Sequence, residues 1–127
     1  MVGIVIVSHS EKIAQGVVDL CAQMAPDVPM AAAGGLPGGG IGTDFERIYT
    51  AVESVMSDDG VAVLFDLGSA LMTAEMVLEQ FKEGLVMLVD APIVEGAVIA
   101  SVSASMGFSL AEVTKEAHTA VETPKFQ

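Results

Sequence analysis

The 127-residue chain sets 17 acidic against 5 basic side chains, a net charge of −12, with 52% hydrophobic residues and a mean hydropathy of +0.61. This excludes a disordered chain and makes nucleic acid and anionic lipid poor partners, since both would be repelled. One cysteine, Cys21, leaves no internal disulfide framework, suits a reducing cytoplasm and reads as a small buried hydrophobe.

The chain opens on an apolar run, Met1–Val7, with five β-branched residues in seven positions. Such a run without polar alternation predicts a strand buried on both faces, as in a parallel sheet. No basic stretch precedes it, so it does not read as a signal peptide. It stops at Ser8-His9-Ser10. Ser10 suits a helix N-cap, and Ile13, Val17, Leu20, Cys21 and Met24 recur at helical spacing until Pro26. Val28–Ala33 reads as a second strand. The segment 34–42 that follows holds six glycines in nine residues and predicts a loop.

Thr43 and Asp44 cap a second helix with Ile48, Val52, Val55 and Met56 as its core stripe, and Asp58-Asp59-Gly60 is expected to end it. Val61–Phe65 predicts a third strand, again ending in a polar residue, Asp66. A third helix is expected over residues 69–83, with Leu71, Met72, Met76, Leu78 and Phe81 apolar and Gly84 as its stop. Leu85–Val89 predicts a fourth strand, after which Asp90 reads as an N-cap and Pro92 as the first position of a fourth helix reaching Met106. Ser109-Leu110-Ala111-Glu112 is a capping box opening a fifth helix with Val113, Ala117 and Val121, closed by Pro124. The eight methionines fall mostly in helical stripes and read as core or interface filler. The longest apolar segment, residues 96–111, is too short and too rich in Ser and Gly to span a membrane.

The alternation implies an α/β fold: an open, mainly parallel four-stranded sheet of order 2-1-3-4 with helices on both faces, in a single domain covering residues 1–127. Strand 1 then lies beside strand 3, their ends roughly 5 Å apart. That brings together His9 after strand 1, the glycine loop after strand 2 and Asp66 after strand 3, at the sheet edge where open α/β folds bind ligands. Asp66 within reach of His9 would fix one ring nitrogen as donor and leave the other as nucleophile. Helix starts after His9 and Asp66, glycines including Gly40, Gly42 and Gly68, and the hydroxyls of Ser8, Ser10, Thr43 and Ser69 make a small anion cradle. The only nearby cations, Lys12 and Arg47, lie inside helices. A Walker A loop needs Gly-Lys-Ser/Thr, where this chain reads Gly40-Ile41-Gly42-Thr43. A site for one phosphoryl group, ill-equipped for a nucleotide, suits a phosphohistidine carrier. His118 reads as a surface residue, and two distant histidines and one cysteine make no metal site.

The segments Gly3–Ser10, Gly34–Gly35 with Gly40–Thr43, Val63–Ala70 and Ala91-Pro92-Ile93-Val94-Glu95-Gly96-Ala97 resemble the mannose-type IIA domains of the bacterial phosphotransferase system. Within that group the resemblance points to the phosphotransferase subunits of phosphoenolpyruvate-dependent dihydroxyacetone kinases, the segment 91–97 being the discriminating piece. The resemblance implies that His9 takes phosphate from the histidine phosphocarrier HPr, with Asp66 orienting the ring. It implies transfer to ADP held on a separate kinase subunit, dihydroxyacetone bound to a third subunit, a cytoplasmic homodimer, and no bound cofactor beyond the covalent phosphohistidine. The alternatives are a IIA component of a mannose-type sugar permease and a regulatory module switched by phosphorylation of His9.

Overall fold

The β-branched runs become strands and the helical periods between them become two covering layers in a computed structural model that describes residues 1–126. In chain order the elements are β1 (Gly3–Ser8), α1 (Glu11–Met24), β2 (Met30–Gly34), α2 (Phe45–Ser54), β3 (Val61–Phe65), a 3-10 turn (Gly68–Ala70) running into α3 (Leu71–Leu78), β4 (Val86–Val89), α4 (Ile93–Ser105), α5 (Leu110–His118) and a closing 3-10 turn (Thr119–Glu122). The sheet order is β2-β1-β3-β4, and every pairing is parallel. The expected order and the pairing of strands 1 and 3 are what the chain forms.

Every residue of β1 is buried. Alternation sends its side chains to opposite faces of the sheet. Ile4 and Ile6 join Ala62, Leu64 and Val89 in the core shared with α1, α4 and α5. Val5 and Val7 join Val61, Val63 and Val86 in the core shared with α2 and α3. Cutting Ile4 or Ile6 to Ala would cost about 2–5 kcal/mol at such sites. At Gly96 a Cβ would lie 2.7 Å from the Ala91 Cβ and 3.0 Å from Leu64 Cδ2. The absent side chain is therefore what lets α4 lie directly on β3.

The helices differ from the sequence reading in which residues they bury. In α1 the core face is Ala14, Val17 and Cys21, while Ile13, Leu20 and Met24 point outward and Ile13 is 49% exposed. The reason is close packing: a Cβ on Gly34 would come within 2.9 Å of that of Ala14. The contact between α1 and β2 admits alanine and leaves no room for isoleucine. α3 repeats the pattern over a shorter span than residues 69–83. Ala70, Ala74 and Val77 are buried; Leu71, Met72 and Met76 are exposed; Leu78 and Phe81 are half-buried. Of the eight methionines, Met30, Met56 and Met87 are half-buried and pack against the two cores, while Met1, Met24, Met72, Met76 and Met106 are exposed.

Element ends shift as well. β2 starts at Met30, two residues after Val28. α2 stops at Ser54, and Gly60, with φ +85°, belongs to the turn into β3. The chain must leave the helix early because the Gly60 carbonyl already accepts the Gly3 amide at 3.0 Å. Gly84, with φ +88°, lies in the turn before β4 rather than at the end of α3. Pro92 occupies the N-cap of α4 instead of its first position, and Asp90, two residues upstream, makes no cap. The Asp90 carbonyl instead accepts a hydrogen bond from Nδ1 of the exposed His118 at 2.6 Å. The capping box of α5 forms, with Ser109 N to Glu112 Oε1 at 3.0 Å and Glu112 N to Ser109 Oγ at 3.2 Å. Beyond α5 the buried residue is Ala120 and Val121 is exposed. Among the described residues, no helix is long and apolar enough to cross a membrane.

Two glycine substitutions are expected to move stability in opposite directions. Gly16 lies in α1 with nothing within 4 Å of an added Cβ, so Gly16→Ala should stabilise by about 0.5–1 kcal/mol. Gly96→Ala should destabilise by about 1–3 kcal/mol through overpacking against Ala91 and Leu64. Thermal melts of the two variants check both signs.

Candidate active site

The site is built where β1 and β3 end side by side. Their parallel register pairs Val7 with Phe65, and the Asp66 amide donates to the Val7 carbonyl at 3.1 Å. β1 runs one residue further, to Ser8, and β3 stops at Phe65, so the first residues beyond the two strands, His9 and Asp66, face each other. His9 Nδ1 lies 3.0 Å from Asp66 Oδ1, with side chains 20% and 13% exposed.

The carboxylate accepts four hydrogen bonds, two on each oxygen. Oδ1 takes the His9 ring N–H at 3.0 Å and the Leu67 amide at 2.7 Å; Oδ2 takes the Ser8 hydroxyl at 2.8 Å and the His9 amide at 3.0 Å. Burial pushes the Asp66 carboxyl up, but the His9 amide, the His9 ring, Ser8 and the Leu67 amide together outweigh it and hold the group below the usual carboxylate range. A carboxylate is acceptor-only, so His9 Nδ1 carries the proton. Nε2 then presents its lone pair, which accepts from the Ser69 hydroxyl at 2.9 Å. The imidazole is thus fixed in tautomer and plane, with its second nitrogen toward the open rim.

Each residue expected in the cradle has a definite place. Ser8 is fully buried and bridges: its hydroxyl donates to Asp66 and accepts from the Ser10 amide at 3.0 Å. Ser10 caps α1, its side chain accepting from Ile13 N at 3.3 Å. The Gly42 amide donates to the His9 carbonyl at 2.9 Å, and the Gly40 carbonyl accepts from Leu36 N at 2.9 Å, closing the loop on itself. Thr43 Oγ1 meets Thr73 Oγ1 of α3 at 3.3 Å. Gly68 and Ser69 open the 3-10 turn, and their amides are the uncommitted ones found at any helix start. Ser8, Ser10 and Thr43 have their hydroxyls engaged within the protein. Ser69 is the hydroxyl that meets Nε2, while Gly39, Gly40 and Ile41 of the glycine loop line a cavity with Ser10, Glu11, Lys12 and Gln15 of the α1 start.

Two contributors escape a reading of the sequence. Thr73 ties α3 to the loop, and Arg47 reaches back from α2 to the Gly34 carbonyl at 3.0 Å and to Glu11 Oε2 at 3.6 Å. The one signal for Arg47 was its position in the first turn after the loop. Cys21 is buried, and burial pushes its thiol up. Among the described residues no three His, Cys, Asp or Glu side chains gather as a metal site. Close to the site residues in the chain, the apolar side chains Ile41, Leu67, Leu71, Met72 and Met76 are all exposed, Met72 to 75%.

A half-buried carboxylate and a histidine of fixed tautomer, side by side at the edge of a parallel sheet of order 2-1-3-4, define a domain of the IIA type. The chain belongs to the family described as the PTS system fructose IIA component, whose profile matches residues 3–114. Within that family it groups with the phosphoryl donor subunits of dihydroxyacetone kinases. It is 46% identical to the PEP-dependent dihydroxyacetone kinase 1 phosphoryl donor subunit DhaM of Listeria innocua, with 75% of each chain covered. It is 40% identical to the PTS-dependent dihydroxyacetone kinase phosphotransferase subunit DhaM of Lactococcus lactis, with 90% of each covered. Against the DhaM subunit of Escherichia coli it is 40% identical over its whole length and spans 28% of that relative, as it does of the Klebsiella michiganensis one. Among solved structures, a protein of unknown function superposes with a TM-score of 0.83 at 27% identity, covering 100% of this chain and 99% of that one. The C. freundii dihydroxyacetone kinase in complex with AMP-PNP and Mg2+ shares the fold, with a TM-score of 0.65 at 18% identity, over 95% of this chain and 25% of that one.

The Asp66 hydrogen bonds set a pH dependence. Because its carboxyl lies below the ordinary value near 3.9, its stabilisation is complete above that value and fades as pH falls through the lower folded value. Asp66→Asn should be less stable than the parent by about 1–3 kcal/mol at neutral pH, with the gap closing below about pH 4. Thermal melts of both proteins across that range check the sign.

Proposed function

We propose that the chain is a phosphohistidine carrier that accepts phosphate from HPr and delivers it to ADP on the nucleotide-binding subunit of a dihydroxyacetone kinase. The observation that carries this reading is the His9–Asp66 pair with Nε2 turned toward the rim. The lone pair of Nε2 attacks the phosphorus of the donor phosphohistidine in line. The new N–P bond forms as the donor's N–P bond breaks, and that electron pair returns to the donor imidazole. Asp66, held charged by its four donors, offsets the positive charge on the phosphorylated ring. In the second transfer a terminal oxygen of ADP attacks the same phosphorus, and the pair of the Nε2–P bond returns to His9.

The Ser69 hydroxyl fills the Nε2 lone pair at rest. It swings aside for attack and, with the Gly68 and Ser69 amides, donates to phosphoryl oxygens afterwards. The hydroxyl and amides beside Nε2 suit one tetrahedral anion, and no Lys or Arg side chain bonds to His9 or Ser69. That agrees with ADP being bound by a partner subunit. Exposed apolar side chains within a surface of net charge −12 suit partners that present an apolar face with a basic fringe, used in turn by donor and acceptor. Relatives named as phosphoryl donor subunits of PEP-dependent dihydroxyacetone kinase favour this reading over a sugar-permease component or a regulatory module. The protein acts in the cytoplasm as a homodimer and needs no bound cofactor.

Incubated with phosphoenolpyruvate, enzyme I and HPr, the protein should gain one acid-labile phosphate. Phosphorus NMR should place it on Nε2, and His9→Ala should gain none. Asp66→Ala should still bind HPr but transfer about 100-fold or more slowly. Labelling of His9→Ala at the parental level would reject the carrier reading. Adding the two kinase subunits, ADP and dihydroxyacetone should yield dihydroxyacetone phosphate only when this chain is present.

A further inference from the structure

The glycine loop poses a problem of order. Six glycines in nine residues have more backbone freedom to lose than any other composition, yet this loop donates to the His9 carbonyl through Gly42 and to the Ser8 carbonyl through Gly35. Within the loop only a small closed turn, Leu36 N to Gly40 O and Gly39 N to Leu36 O, each at 2.9 Å, restrains it. The remaining order must come from its two ends.

Arg47 joins those ends. It lies in the first turn of α2, just past the loop, where its own amide donates to the Asp44 cap at 3.0 Å. Its guanidinium reaches back to Gly34, the last residue of β2, and donates to that carbonyl at 3.0 Å. Gly34 is paired in register with Ser8. A charged donor on a carbonyl is among the stronger hydrogen bonds available, and the fixed guanidinium plane gives it direction. The same group lies 3.6 Å from Glu11 at the start of α1, a pair too exposed to contribute much energy. The contact that matters is therefore with the carbonyl.

We propose that Arg47 is a positioning residue for phosphoryl transfer: it buckles the glycine loop so that Gly42 and Gly35 hold the backbone of His9 and Ser8 in register with Asp66. This inference rests on the carrier reading. Arg47 touches neither His9 nor the phosphoryl position in this arrangement, and it acts through the loop. Small displacements of a reacting group cost rate steeply, so a loosened loop lowers turnover more than partner binding.

The test uses the full chain as Arg47→Met and Arg47→Lys, with amide exchange followed by NMR and transfer followed from phosphorylated HPr. In Arg47→Met the Gly42 and Gly35 amides should exchange about 10-fold faster or more, and kcat should fall about 10-fold to 100-fold with KM nearly unchanged. Arg47→Lys restores a charged donor and should recover most of both effects. Unchanged exchange in Arg47→Met would overturn the proposal, including the case where transfer falls through a raised KM, which would mark a direct contact with the incoming partner. Faster exchange with undiminished kcat would overturn it as well. If the parent protein takes no phosphate on His9, the carrier reading fails, and the exchange measurement alone still decides whether Arg47 orders the loop.

Discussion

The site depends on one pairing, the parallel register of β1 against β3. It sets Asp66 one residue beyond Phe65 and His9 two beyond Val7, so that a single carboxylate meets both the backbone and the ring of the histidine. Two of its four donors belong to His9, one on the main chain and one on the side chain. Main chain and imidazole are therefore fixed by the same group, and the ring can neither flip its tautomer nor slide along the strand without breaking a charge-assisted bond. A one-residue slip would turn every side chain of β1 to the opposite layer. The burial of Ile4 and Ile6 on one face and Val5 and Val7 on the other thus protects the catalytic geometry from a distance.

How much of this is legible in the chain follows from which signals are local. β1 and β3 are apolar runs without polar alternation that stop at a polar residue, so their ends, their pairing and the meeting of His9 with Asp66 follow from composition and the crossover rule. The helix faces do not. Periodicity weights large apolar side chains, and in α1 and α3 it marks Ile13, Leu20, Met72 and Met76, which face outward. The inward faces carry alanines, because these helices lie close enough to the sheet that only small groups fit. Ser8 shows the same limit at the site: its type suggested a phosphate contact, but its place on the strand puts its hydroxyl under Asp66. Arg47 depends on a side chain spanning a loop of thirteen positions, a relation that no local window contains.

The outward apolar residues have a consequence for function. Exposed leucines and methionines cost solubility, and a surface of net charge −12 tolerates them because like charge keeps molecules apart. They cluster beside the site residues in the chain: Ile41 next to Gly42, Leu67 next to Asp66, Met72 one turn after Ser69. Methionine is suited to surfaces that must repack against more than one partner. For the proposed partners, an acidic surface favours a basic approach that weakens with salt, and exposed apolar side chains offer contact area.

No Lys or Arg side chain bonds to His9, Asp66 or Ser69, which fits the proposed relay. A lysine or arginine against the phosphoryl oxygens would deepen the bound state and slow the second transfer, since tight ground-state binding does not accelerate a reaction. Arg47 is engaged with the Gly34 carbonyl, and Lys12 is exposed on α1 beside Ser10, Gly39 and Gly40. On the proposed carrier reading, the Asp66 carboxylate beside Nδ1 would offset the positive charge of a phosphorylated His9 ring, which departs as neutral imidazole in the second transfer. A carrier of the proposed kind needs release as much as affinity, and β1 holds His9 where the sheet ends, with Asp66 half-buried against Nδ1 and Nε2 meeting only the Ser69 hydroxyl.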